Sequence, residues 1–158
     1  MKGSKGLTAS KVGLLEERHR ALLALCLELE ELAGELEGGR LPAAAEIVAG
    51  KIEPLVKAAH AMEEEDFYPS LEARAASCFG SLMIAQIKSE HRVDRRAAHE
   101  LALTLRAVAD QRCALGLDTV AHMARGFQEY LRRHITAEQM LLENLLATAS
   151  EDAAEPVG

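Results

Sequence analysis

The stretch HAMEEEDFYP, residues 60–69, joins a histidine to a run of four acids and two bulky aromatic residues. His60 precedes Glu64 by four residues, so in a helix the two side chains lie on one face. Apolar residues at helical spacing continue that face in both directions. In order, the face carries Ile52, Val56, His60, Glu64, Phe67 and Leu71. The stretch therefore predicts a helix whose apolar face contains an ionisable pair.

The same spacing recurs along the chain and predicts four long helices. They cover residues of about 7–37, 42–75, 81–110 and 119–147. Thr8 or Ser10 would cap the first helix, which ends at the pair of glycines 38–39. Pro54 and Pro69 predict kinks or a break inside the second. Four helices with short connections favour an all-α fold, an antiparallel up-down four-helix bundle.

The composition supports one helical domain. The chain has 158 residues, 49% of them hydrophobic and 3% aromatic, and is rich in Leu, Ala and Glu. We expect a single domain over 1–158, with the bundle at about 8–148. A short flexible N-terminus precedes it in this interpretation, and a disordered acidic tail follows at about 149–158.

Charge and cysteine usage exclude several classes of function. The net charge of -7 argues against a nucleic-acid partner, which requires a basic face. No apolar run is long enough to cross a membrane, and the N-terminus lacks the apolar core of a secretory signal. Cys26, Cys78 and Cys113 are widely spaced and form neither a CxxC nor a zinc pattern. We therefore expect reduced thiols and a cytoplasmic location.

Each predicted helix carries one histidine on its apolar face. These histidines are His19, His60, His91 and His134. Glu64 and Glu138 follow two of them by four residues. Burying an ionised carboxylate costs on the order of several kcal/mol unless it is paired or bound to a metal. A metal centre explains the whole set, whereas hydrogen-bonded core histidines with surface His–Glu pairs are the alternative. Imidazole and carboxylate ligands suit iron, manganese and zinc.

Two further residues are candidates for supporting the ligands. Asp94 lies near His91 on the same face, where it would orient a histidine or act as a ligand itself. Tyr130 precedes His134 by one turn and either points towards the metals or packs in the core. The remaining acids of the opening stretch are interpreted as a solvated face. They are Glu63, Glu65 and Asp66.

The ordered set His, His-x-x-x-Glu, His, His-x-x-x-Glu resembles the hemerythrin-like, or HHE cation-binding, domains. The local sequences that carry the resemblance are EERHRALLAL, HAMEEEDFYPSL, SEHRVDRR and HITAEQMLL. The resemblance covers residues of about 8–148. It implies a non-haem di-iron centre inside a four-helix bundle.

By this resemblance, Glu64 and Glu138 bridge two iron ions, together with an oxo or hydroxo bridge from solvent. The implied terminal ligands are His19, His60, His91 and His134. Coordination positions remain for water, O2, NO or peroxide. Manganese and zinc stay open as alternatives, because the same ligands bind them.

The resemblance implies a protein that binds O2 or a related small ligand in sensing, storage or detoxification. Oxygen-carrying hemerythrins have a second histidine one turn after the third-helix ligand, where this chain has Arg95. The ligand set is more similar to that of iron–sulfur cluster repair proteins and of hemerythrin-like proteins linked to NO or peroxide. A di-iron enzyme of one of these kinds is therefore one alternative, and an iron-responsive interaction module is another. The sequence assigns no catalytic residue and no protein partner.

Overall fold

The computed structural model describes residues 6–75 and 78–154, and every regular element in this part of the chain is helical. The elements are α1 (Ala9–Glu37), α2 (Ala45–Met62), a π-helical turn (Glu63–Phe67), α3 (Tyr68–Arg74), α4 (Cys78–Ala109) and α5 (Leu117–Ala154). They pack as a helical bundle, in which the closest partners are α1 with α5 and α2 with α4. None of the described helices is both long and apolar enough to span a membrane.

The ends of α1 follow the local sequence signals. Thr8 caps its N-terminus, because the Thr8 hydroxyl accepts a hydrogen bond of 3.3 Å from the backbone N–H of Lys11. After the helix, Gly39 has a φ of +73°, a conformation that a residue with a Cβ atom adopts only with strain. The backbone N–H of Gly39 donates to the carbonyl oxygen of Leu36 at 3.0 Å. Both predicted ends of the first helix are confirmed.

The second predicted helix is interrupted just before Pro69, as its prolines predicted, but the sequence did not specify the π-helical form of the interruption. Pro54 lies inside α2, and Pro69 falls in the first turn of α3, where a missing N–H is tolerated. Between these helices, the backbone N–H of Tyr68 donates to the carbonyl oxygen of Glu63, five residues earlier. This i to i+5 bond defines the π-helical turn, which is wider than an α-helical turn by one residue. Glu63 and Tyr68, five residues apart, are consequently both buried.

Two apolar clusters fill the interior, and the histidines lie between them along each helix. On α1, for example, Leu15 belongs to the smaller cluster and Leu22 to the larger, with His19 between them. On α4, His91 follows Ile87 of the smaller cluster and precedes Ala98 of the larger. The ionisable side chains therefore form a polar layer with apolar packing on both sides.

The last helix is longer than the sequence predicted. It continues through Ala154, so residues 149–154 are helical rather than disordered, and residues 155–158 lie outside the described part. An exposed ion pair of 3.2 Å between Arg74 and Asp152 joins this extension to α3. Adding turns to an existing helix costs far less than starting a new one, which explains why an acidic end remains helical.

Candidate metal centre

Seven ionisable side chains are buried in the polar layer. They are His19, His60, Glu63, His91, Asp94, His134 and Glu138, and each has at most 6% of its surface exposed. The burial predicted for the four histidines and for Glu138 is confirmed. So many buried ionisable groups require mutual pairing or a bound cation, because each charge alone would be strongly unfavourable.

Six of these side chains form two groups that could each hold a metal ion. The histidine-rich group consists of His60, Glu63, His91 and His134. The His19 group consists of His19, Glu63 and Glu138. Within each group the potential ligand atoms lie within 4.8 Å of one another. Glu63 belongs to both groups, so the two sites share a carboxylate.

Both carboxylates extend from one group to the other. Glu63 places Oε1 at 3.3 Å from His19 Nε2 and Oε2 at 3.0 Å from His91 Nε2. Glu138 places Oε2 at 3.1 Å from His19 Nε2 and Oε1 at 3.1 Å from His134 Nε2. Each carboxylate thus directs one oxygen towards each group. This is the arrangement of two carboxylates that can bridge a pair of cations.

The hydrogen bonding of the layer also fits a metal. Among the described residues, Glu63 Oε2 and His134 Nε2 are buried without a hydrogen-bond partner, although both have polar neighbours close by. Buried polar atoms without partners are rare and call for a specific explanation. Carboxylate oxygens and imidazole nitrogens that converge in this way are ligands for a divalent or trivalent cation.

Tyr68 lies against both groups, and sequence reasoning did not assign it to the site. Its hydroxyl donates to Glu138 Oε1 and lies 2.8 Å from His91 Nε2, and the side chain is fully buried. Burial raises the pKa of Tyr68, and the nearby charges of Glu138 and Glu63 raise it further. In the metal-free protein Tyr68 therefore remains a neutral hydrogen-bond donor that fixes one carboxylate and one imidazole.

Glu64 lies outside both groups. Its side chain is 42% exposed, and its Oε1 atom accepts a hydrogen bond from His91 Nδ1 at 2.7 Å. Arg95 lies on the other side of the same oxygen at 3.2 Å. Burial alone would raise the pKa of Glu64, but the neighbouring His91 and Arg95 outweigh it and lower that pKa. Glu64 thus holds the outer nitrogen of His91, the one that faces away from the cluster.

Two expectations about the acidic run were wrong. The inward position predicted for Glu64 belongs to Glu63, and Glu63, interpreted from the sequence as solvated, is only 1% exposed. Residues three and four positions after His60 both lie near it on a helix, so spacing alone does not choose between the two glutamates. The π-helical turn decides, because it places Glu63 on the same side as Tyr68. The only sequence signal that pointed to Glu63 was its place in the acidic run, next to Glu64.

Glu90 on α4 and Tyr130 on α5 border the polar layer, close to Asp94 within it. Glu90 Oε2 lies 3.4 Å from His134 Nδ1, so Glu90 faces the outer nitrogen of that ring. Asp94 Oδ2 lies 3.6 Å from His60 Nε2, which places Asp94 beside His60. Tyr130 is half-buried between these acids, and burial followed by the charges of Asp94 and Glu90 raises its pKa. Asp94 and Tyr130 are therefore close to the ligands, while their supporting roles remain predictions.

When its histidines are protonated, the polar layer is a network of ion pairs between these histidines and the buried glutamates. Burial lowers the pKa of His19, but its hydrogen bonds to Glu138 and Glu63 outweigh burial and raise the pKa to about 9. The same two glutamates raise the pKa of His134 to about 11 against the effect of burial. Burial alone would raise the pKa of Glu63, yet its histidine neighbours hold it well below the usual range. The carboxylates thus attract positive charge, which a metal cation would supply in place of protons.

The chain was compared with models of known protein families. The profile of the family described as "Hemerythrin HHE cation binding domain" matches residues 10–157. This range contains every member of the histidine-rich group and of the His19 group. Comparisons with curated proteins and with solved structures gave no match.

Proposed function

The chain belongs to the hemerythrin HHE cation-binding family, and we propose that its buried layer binds two iron ions bridged by carboxylates and solvent oxygen. The observation that carries this proposal is the position of Glu63 and Glu138, each with one oxygen towards each group. Iron would supply reversible binding of O2, NO or peroxide, or electron transfer to them. The protein would use this chemistry in sensing, storage or detoxification.

The geometry supports a ligand assignment that differs at one position from the sequence-based one. The proposed terminal ligands are His19, His60, His91 and His134. The proposed bridges are Glu63 and Glu138, and Glu64 orients His91 from outside instead of bridging. Tyr68 donates its hydrogen bond to Glu138 and so positions that bridge. An imidazole or carboxylate ligand held by such an outer partner has a fixed orientation and a tuned basicity.

We also propose the antiparallel up-down order for the long helices. The support comes from side-chain pairs that join neighbouring helices: as the residue number increases along one helix, the number of its partner on the neighbouring helix decreases. The pairs are Glu28–Lys51 between α1 and α2, Lys11–Asp66 between α1 and the π-helical turn that follows α2, and His19–Glu138 and Glu30–Arg125 between α1 and α5. This order brings one histidine from each long helix to the same level of the bundle.

A cytoplasmic location is consistent with the sulfur chemistry. Within the described residues, Cys26, Cys78 and Cys113 are all free thiols. Free thiols persist in a reducing compartment such as the cytoplasm.

Iron loading tests the proposed function. Protein purified without metal is incubated with ferrous iron under anaerobic conditions, desalted and analysed for iron by mass spectrometry. We expect about two iron ions per chain, as in other two-metal sites, and near-ultraviolet charge-transfer bands after exposure to air. Protein that retains no iron under these conditions would refute the proposal.

A matched pair of variants tests the ligand assignment. Glu63→Gln should lose most of the iron, because a neutral amide is a poor bridging ligand for a cation. Glu64→Gln should retain it with weaker affinity, since only the support of His91 changes, and loss of an outer partner typically costs about 10–100-fold in affinity. If Glu64→Gln lost more iron than Glu63→Gln, the assignment of Glu64 as the bridge, made from the sequence, would be correct instead.

A further inference from the structure

The face between α4 and α5 is less tightly packed than the α1–α5 and α2–α4 contacts. Two adjoining cavities lie along this face, which we call together the α4–α5 groove. The first has a volume of about 320 Å³ and is lined by Ile87, Glu90, Tyr130, His134 and Ala137, among others. The second has a volume of about 350 Å³, and its lining includes Asp94, Phe127 and Tyr130.

His134 connects the groove to the metal centre. It is a member of the histidine-rich group and also lines the first cavity. With 6% of its surface exposed, it is the most accessible of the four proposed histidine ligands, since His19 and His91 have 0% and His60 has 2%. The groove is therefore in direct contact with the ligand set.

Tyr130 lies where the two cavities meet. It lines both of them, is half-buried, and has the carboxylates of Glu90 and Asp94 as neighbours. Its ring therefore lies at the junction of the two cavities, next to two acidic side chains that neighbour the histidine ligands proposed above. Rotation of a half-buried aromatic side chain is fast on the timescale of ligand binding, so the ring of Tyr130 can change the width of this junction.

The groove between α2 and α4 provides the comparison. It has a volume of about 380 Å³ and is lined by Ala61, Glu64, Arg95 and His99, among others. Its described lining residues include Glu64, the outer partner of His91, but none of the six proposed ligands. A molecule bound in this groove would contact Glu64 but none of the proposed metal ligands.

We propose that the α4–α5 groove is the route by which a ligand of diatomic size reaches the metal centre, with Tyr130 as its barrier. The proposal rests on the proposed function, because it concerns access to the same site. Pockets that serve small ligands are concave, largely apolar and bordered by a few polar groups, as this groove is.

Two tryptophan substitutions, each at an alanine that lines one groove, test which of the two grooves the ligand uses. Ala137→Trp narrows the first cavity of the α4–α5 groove, which borders His134, and Ala61→Trp is its matched control in the α2–α4 groove. Both residues are exposed on helices and each lines only its own groove. Binding of nitric oxide to the ferrous, iron-loaded protein is followed by anaerobic stopped-flow absorbance, with iron content and helical circular dichroism measured on the same samples.

We expect Ala137→Trp to slow nitric oxide association by about tenfold or more and Ala61→Trp to change it by less than about twofold, as for a gated site. Tyr130→Ala should accelerate association several-fold, whereas Tyr130→Phe, which keeps the ring, should not. Unchanged association in Ala137→Trp at full iron content, or equal slowing in both tryptophan variants, would overturn the route and leave the metal proposal intact. Failure of the wild-type protein to retain iron would overturn both.

Discussion

Glu63 and Glu64 are chemically identical neighbours in very different environments. Glu63 is 1% exposed and has His19 and His91 as partners, whereas the side chain of Glu64 is 42% exposed and pairs with Arg95 in contact with water. A buried carboxylate is tolerated only because its partners compensate for lost hydration, while an exposed pair contributes little to stability. The identity of the proposed bridge therefore depends on which of two adjacent carboxylates the backbone turns inward.

Tyr68→Phe should lower the free energy of unfolding of the metal-free protein. The variant removes the hydroxyl that donates to Glu138 and lies beside His91, and leaves both of these buried groups with one partner fewer. We expect a loss of about 1–3 kcal/mol, measured by urea denaturation at neutral pH. Tyr130→Phe is the control, because Tyr130 is only half-buried and water can replace its hydroxyl. Equal losses in the two variants would show that the Tyr68 hydroxyl does not hold the layer together.

Cys26 should resist alkylation in the native protein at about pH 8, whereas Cys78 should react, because only the thiolate is nucleophilic. Cys26 is fully buried, and burial raises the pKa of its thiol to about 11, a shift that the charge of Arg132 only partly opposes. Cys78 is exposed. Iodoacetamide labelling followed by peptide mass mapping measures both sites, and labelling in urea is the control in which both must react.

The same pKa shift predicts a loss of stability in alkali. Because the folded-state pKa of Cys26 lies above 9.0, the ordinary value for a cysteine thiol, its stabilising contribution is complete below pH 9 and is lost as the pH rises through about 11. Cys26→Ser should flatten the decline of the unfolding free energy over this window, measured by urea denaturation at several pH values. An equally steep decline in the variant would show that other groups cause it.

At the scale of the helix, signals that act within a few residues were predictable. Thr8 and Gly39 fix the ends of α1 through their own backbone preferences, and the histidines follow the apolar spacing that defines the buried face. The π-helical turn at Glu63–Phe67 was not predictable in this way. Pro69 predicted a kink or break in this region, but the π-helical form of the turn, in which Phe67 and Tyr68 join the smaller apolar cluster, leaves no periodic signal in the sequence.

Gly34→Ala should stabilise the protein, and Gly39→Ala should destabilise it. Gly34 lies inside α1, and a Cβ atom there would meet nothing within 4 Å, so alanine adds helix propensity without a clash. Gly39 has a φ of +73°, where alanine is strained. We expect a gain of about 0.5–1 kcal/mol for the first and a loss of about 1–2 kcal/mol for the second, measured by thermal and urea denaturation. Changes of the same sign would contradict the assigned end of α1.

At the scale of the whole molecule, the polar layer divides the interior into two unequal parts. The larger apolar cluster draws residues from all four long helices and contains no member of either metal-binding group within the described chain. We therefore expect this cluster to keep the bundle folded when no metal is bound. The sequence could place one histidine from each long helix in this layer, but it could not show which oxygen faces which group. That geometry depends on how the helices are packed against one another, which no local pattern encodes.

Iron loading should consequently raise the melting temperature of a chain that is already folded. A ligand that binds only the native state stabilises it by about 2.7 kcal/mol at a free concentration of 100 times its dissociation constant. For a domain of this size, that gain corresponds to a rise of about 5–10 °C, measured by circular dichroism with iron and with chelator. The double variant Glu63→Gln/Glu138→Gln should show the same melting temperature in both conditions, because both proposed bridges are gone. Glu64→Gln is the matched control and should keep most of the rise. A wild-type protein that melts at one temperature with and without iron, or one that is unfolded in chelator, would refute the division between a self-sufficient apolar core and a metal-binding layer.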